Sequence, residues 1–114
     1  KFFLNKIKLL EKYKIQQSKV WLDPGIGFGK NLKQNLEILK NIDKFKIKNY
    51  GMLIGSSRKS WISQIDNSLP HQRLGGSLAS IIYCLEKGVD IFRVHDVQET
   101  KQAIDIYKKI LCSK

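Results

Sequence analysis

Three short apolar runs limit what this chain can fold into more than any other feature: Val20 to Leu22, Tyr50 to Gly55 and Val89 to His95. Each is shorter than an ordinary helix and gives way to turn-forming or polar residues, after which the apolar spacing becomes helical. A helix-spaced segment carrying Phe3, Ile7 and Leu10 precedes the first run. The order is therefore helix, then strand and helix three times over, with strand centres about 30 to 40 residues apart, which predicts βα units and a parallel sheet. Apolar strands of this kind suit a sheet covered on both faces, in a doubly wound fold or a barrel. The reactive side chains share one place in that topology: Asp23 just after the first run, Ser57 and Lys59 just after the second, Arg93 and His95 at the end of the third. These are carboxyl ends of parallel strands, the edge at which such folds bind their ligands.

The helices carry their own signals. Asn31 is placed to cap a helix striped by Leu32, Leu36, Leu39 and Ile42. A brief helix is expected near Arg58 to Ile65, then the turn "DNSLP", then a longer helix with Leu74, Leu78, Ile82 and Leu85 on one face and Gly88 just past its end. Asp96, with Glu99 three residues on, forms a capping box for a last helix striped by Ala103, Ile104, Tyr107 and Leu111. No repeat, linker or low-complexity tract divides the chain, so residues 1–114 read as one domain.

Composition excludes several classes. With 42% apolar and 27% charged residues the chain is globular, not disordered. No run of 18 apolar residues exists, and lysines interrupt every apolar group of the opening "KFFLNKIKLLEKYK", which argues against a membrane span or a signal peptide. Cys84, inside an expected buried helix, and Cys112, near the C-terminus, match no metal-binding spacing. A reduced, cytoplasmic protein is the expectation. The net charge of +11 raises nucleic acid as a partner. Its 18 Lys are spread over the polar faces of helices, however, which is the pattern of a solvated surface and not of a polyanion groove. The three arginines, Arg58, Arg73 and Arg93, stand at element boundaries in "SSRKSW", "HQRLGG" and "FRVHDV". Arg grips phosphate with a planar fork that Lys lacks, so anion recognition is to be sought there.

The stretch "WLDPGIGFGKN" sets glycines at 25, 27 and 29 before Lys30. It is not a P-loop, because Pro24 stands where the first glycine belongs and Asn31 where the hydroxyl belongs. It is not a dinucleotide fingerprint either, because Lys30 stands at the third glycine. A tight, glycine-permitted turn remains, with Asp23 at its root and Phe28 at its tip. A carboxylate there can accept two N–H donors from an aminopyrimidine-like edge, and a phenyl ring can face an aromatic substrate. The plainer alternative is an Asp capping its own turn and a Phe packing on the barrel.

"DPGIGFGKN", "GSSRKSWI", "RLGGSLA" and "FRVHDVQET", in this order, resemble the C-terminal part of the dihydropteroate synthase family over nearly the whole chain. The resemblance implies an α/β fold, the C-terminal part of a TIM (β/α)8 barrel with about three βα units and a preceding helix. It also implies the condensation of 6-hydroxymethyl-7,8-dihydropterin diphosphate with p-aminobenzoate, giving 7,8-dihydropteroate and pyrophosphate, in a cytoplasmic homodimer. Carried over by motif, Asp23 and Lys59 would bind the pterin, with Gly55 to Ser57 lining its slot. Arg93 and His95 would bind the diphosphate, and Phe28 and Ser60 the p-aminobenzoate. Mg2+ would be the cofactor, its ligand expected upstream of this chain. Plainer roles compete: His95 capping the last strand, Lys59 a solvated helix-start residue, Arg58 and Arg73 structural, Lys30 open. About three of eight βα units are present, so the chain reads as a partial, dihydropteroate synthase-like barrel, inactive and self-associating when made alone. The alternative class is a non-catalytic basic half barrel that binds anions or RNA.

Overall fold

A computed structural model describes residues 2–17, 20–47 and 50–113. The elements run α1 (Phe2–Lys12), β1 (Trp21–Leu22), α2 (Leu32–Lys40), β2 (Gly51–Ile54), α3 (Ser60–Asp66), α4 (Leu74–Glu86), β3 (Ile91–Phe92) and α5 (Val97–Cys112). All three strands are parallel, in the order β1-β2-β3. The expected alternation is therefore present, with every strand shorter than its apolar run. At β3 a side chain replaces part of the ladder: the backbone N–H of Met52 donates to Asp90 Oδ2 at 2.9 Å.

Register assigns the sheet two unlike faces. Trp21 pairs with Gly51, Leu22 with Met52, Leu53 with Ile91, and Ile54 with Phe92. Side chains alternate along a strand, so Leu22, Met52, Ile54 and Phe92 share one face. Met52, Ile54 and Phe92 pack on the helices in a core with Ile26, Leu39, Ile42, Trp61, Ile62 and Cys84, while Leu22 packs with Ile7 and Tyr50 in a second cluster. The opposite face carries Trp21, Leu53 and Ile91, and Trp21 and Ile91 remain exposed there. Among the described residues helices pack on one face of the sheet, and the other face is open. The shape agrees: the radius of gyration is 15.4 Å, against about 13 Å for a closed domain of this length.

Helix ends follow the sequence in part. Asn31 caps α2 with a complete capping box, its side chain accepting from the Gln34 N–H at 2.8 Å while Gln34 accepts from the Asn31 N–H at 2.9 Å. α4 stops just before Gly88, at φ +92. The last helix departs from expectation: Asp96 stands at its N-cap but makes no side-chain cap bond, because its carboxylate is engaged by Arg58. Two stripes are also displaced. Asn35 is buried where Leu36 was expected, and the most buried face of α4 is Ser77, Ser80, Ile81 and Cys84, not the leucine stripe one position away. Small residues on that face bring α4 close to the end of β2, where Ser80 Oγ lies 2.8 Å from Ser56 Oγ.

Candidate functional site

The loop from Asp23 to Asn31 is tied at almost every turn. The Gly25 N–H donates to Asp23 Oδ1 at 2.8 Å, and the Phe28 N–H donates to the Gly25 carbonyl at 3.1 Å. The Gly27 N–H donates to Oδ1 of buried Asn35 at 2.8 Å, which explains why a polar residue interrupts the apolar face of α2. Lys30 folds back to donate to the carbonyls of Gly25 at 2.9 Å and Phe28 at 3.1 Å. Lys30, left open by the sequence, is thus a brace of this loop. Asp23 does cap its own turn, but with one oxygen, and Phe28 projects into solvent at 64% exposure instead of packing inward.

Lys59 crosses from the next strand end. Its stem passes over Gly27, where a Cβ would lie 2.8 Å from Lys59 Cδ and where φ is +86, so glycine is required twice over. The ammonium donates to the Ile26 carbonyl and sits 4.5 Å from the centre of the Phe28 ring. Burial lowers the pKa of Lys59 below the usual lysine value. Arg93 lowers it further, Asp23 opposes that, and Lys30 adds a smaller push down.

Arg93 reaches the same point from β3. Its N–H continues the ladder to the Ile54 carbonyl at 2.9 Å, and its side chain lies over Gly55, bringing Nη1 to 3.8 Å from Asp23 Oδ2. Alternation puts Asp23, Gly55 and Arg93 on the open face of the sheet, at the carboxyl ends of its three strands. Three cations, Lys30, Lys59 and Arg93, thus surround one carboxylate. His95, two residues beyond Arg93, is tied to the β2 end: its N–H donates to Ser57 Oγ at 3.3 Å and its Nδ1 lies 3.2 Å from the same hydroxyl. Ser60 is the exposed first residue of α3, next to Lys59.

The other two arginines are used on the protein itself. Arg58 pairs with Asp96, with Nε 3.0 Å from Oδ2. Arg73 donates from Nε and Nη2 to the Ser68 carbonyl, at 3.2 and 3.0 Å, and from Nη1 to the Arg58 carbonyl at 2.9 Å. The search for anion recognition at all three arginines is therefore narrowed to Arg93, whose side chain is 57% exposed. Magnesium finds no donor set here. Among the described residues no three His, Cys, Asp or Glu side chains cluster, and Asp23 is a single carboxylate among three cations. A magnesium ion needs several oxygen ligands in octahedral array, so these residues do not fit it.

Residues 1–95 match the family described as "Pterin binding enzyme". The chain belongs to the pterin-binding enzyme family. Among pterin-binding relatives, it is 41% identical to the dihydropteroate synthase of Escherichia coli (strain K12) over 114 residues, all of this chain and 40% of that protein. It is 37% identical to the dihydropteroate synthase of Synechocystis sp. over 102 residues, 89% of this chain and 35% of that protein. The chain thus spans about two fifths or less of these relatives' length. A crystal structure of Yersinia pestis dihydropteroate synthase aligns with 98% of the chain and 53% of its own at 38% identity and a TM-score of 0.91. The Xanthomonas albilineans enzyme, solved with 4-aminobenzoic acid, aligns with 99% and 42% at 30% identity and a TM-score of 0.93. The parallel βα units are those of a TIM-barrel fold.

Proposed function

We propose that this chain provides the pterin- and diphosphate-binding side of a dihydropteroate synthase site. The observation that carries the proposal is the meeting of Asp23, Lys59 and Arg93 at the ends of three adjacent strands, with Arg93 Nη1 3.8 Å from Asp23 Oδ2 and Lys59 between the same loops. Asp23 has one oxygen committed to its turn, while the other, which faces Arg93 Nη1 at 3.8 Å, accepts from the N–H edge of a pterin. Lys59 donates to ring acceptors and lays its stem along the ring face. Arg93 and His95 hold the diphosphate, while exposed Phe28 and Ser60 flank p-aminobenzoate.

The reaction follows from that division. The amine nitrogen of p-aminobenzoate forms a bond to the pterin methylene, the methylene C–O bond breaks, the electron pair leaves on pyrophosphate, and the amine gives up one proton. Negative charge grows on the leaving group as the C–O bond lengthens, and fixed donors at that point lower the barrier. Magnesium would take its ligands outside the described residues, and no step is assigned to it. The open sheet face of Trp21, Leu53 and Ile91 becomes the interior wall of a barrel in this reading. A cytoplasmic homodimer belongs to the same reading. No helix among the described residues is long and apolar enough to cross a membrane.

A chimera tests the function: residues 1–114 replace the matched segment of the Escherichia coli relative, and pyrophosphate release is followed with both substrates present. We expect release that needs both substrates. A folded chimera that binds neither pterin nor pyrophosphate would sink the reading.

A further inference from the structure

We infer that Arg58 and Asp96 form a positioning clamp that fixes Lys59, at the pterin, and His95, at the diphosphate, relative to each other; this rests on the function proposed above. Neither clamp residue points at the ligand space, but each is the chain neighbour of a residue that does. Arg58 directly precedes Lys59, and Asp96 directly follows His95. The ion pair therefore links the β2–α3 turn to the β3–α5 turn. A second rung lies beside it, where Ser57 Oγ meets the N–H and Nδ1 of His95 at 3.3 and 3.2 Å.

Arg58 is held on every side for this task. It adopts φ 53, a left-handed conformation that a residue with a side chain seldom takes without support from its surroundings. That support is present: its N–H donates to Ser77 Oγ at 2.8 Å, its carbonyl accepts from Arg73 Nη1 at 2.9 Å, and its guanidinium meets both Asp96 oxygens. The left-handed residue turns the chain sharply, so that Lys59 leaves toward Gly27 and Phe28. On the other side, Asp96 forgoes capping α5, the ordinary use of an Asp at that place.

The sign of one substitution separates positioning from plain electrostatics. Asp96→Asn removes a negative charge near an anion site, which by charge alone should tighten anion binding. If the clamp positions Lys59 and His95, the same change should weaken it, by about three- to tenfold. The experiment is calorimetric titration with pyrophosphate of the chimera that carries residues 1–114, comparing the unmodified form, Asp96→Asn, Arg58→Ala, the double variant Arg58→Ala with Asp96→Asn, and Arg58→Lys. Asp105→Asn, an equal charge change in an exposed pair with Lys101, serves as control and should leave affinity as it was. We expect weaker binding in both single variants, a double variant no worse than the poorer single one, and partial recovery with Arg58→Lys. Tighter or unchanged binding in Asp96→Asn, or losses that simply add in the double variant, would overturn the clamp while leaving the proposed function standing. No pyrophosphate binding by the unmodified, folded chimera would overturn both. Should Arg58→Ala fail to fold, Asp96→Asn and Arg58→Lys still decide the matter.

Discussion

Arg93 reaches Asp23 across Gly55. A Cβ on Gly55 would stand 2.5 Å from Arg93 Nη2 and 3.0 Å from Cζ, so the guanidinium can cross from β3 over the end of β2 only because Gly55 has no side chain. Gly55→Ala should push Arg93 aside with little harm to the fold, since the displaced atoms are the far end of a long, half-exposed side chain. Pyrophosphate binding should weaken by about 1 to 3 kcal/mol, the range for a lost charge-assisted hydrogen bond. Calorimetry with a melting curve on the same sample checks this; unchanged affinity would mean that the position of Arg93 does not matter.

Asp23→Asn should separate the two ligands. An asparagine keeps an oxygen for the Gly25 N–H but presents an NH2 where the pterin edge needs an acceptor. Pterin binding should fall, while pyrophosphate binding holds or tightens, because the one carboxylate among Lys30, Lys59 and Arg93 is gone. Parallel titrations with a pterin and with pyrophosphate read both effects; equal losses for the two ligands would contradict the assignment.

The sequence made the βα order legible because each strand is an apolar run bounded by turn chemistry, and it made Asp23, Lys59, Arg93 and His95 legible because they sit at strand ends. What it hid was polar. Apolar periodicity cannot announce that Asn35 turns inward to hold the Gly27 N–H, so it favoured Leu36. Local capping rules gave Asp96 to Glu99 and α5, whereas Arg58, 38 residues away in the chain, competes for the same carboxylate and wins it. The serines on α4 carry no hydrophobic signal, although their small size and hydroxyls are what hold that helix to the end of β2.

Lys59 should give a distinctive pH dependence. Its pKa is lowered chiefly by burial and next by Arg93, so it loses its charge at a lower pH than an ordinary lysine. Pyrophosphate affinity should therefore decline as pH rises through that lowered value, and Lys59→Arg should flatten the decline. Stability carries the opposite sign. The folded state disfavours the charged amine, so stability is lower below the folded pKa and recovers as pH rises from there toward the ordinary lysine value. Titrations and melting curves from neutral pH upward check both; parallel trends would contradict the cause given.

Two cysteines report on the packing of α4. Cys84 is fully buried, and burial pushes its thiol up to about 11, whereas Cys112 is exposed. A thiol reagent at mildly alkaline pH should label Cys112 at once and Cys84 slower by about two orders of magnitude or more, until denaturant opens the core. Equal labelling rates in the absence of denaturant would show that α4 does not pack on the sheet as described.

Titration of the folded chimera carrying residues 1–114 with pyrophosphate, unmodified and as Arg93→Lys, tests the central claim most directly. Lysine keeps the charge of Arg93 but loses its fork. We expect the unmodified chimera to bind and Arg93→Lys to bind more weakly by about 1 to 3 kcal/mol. Absence of binding by the unmodified chimera, or equal affinity in both, would contradict an anion site at the ends of β1, β2 and β3.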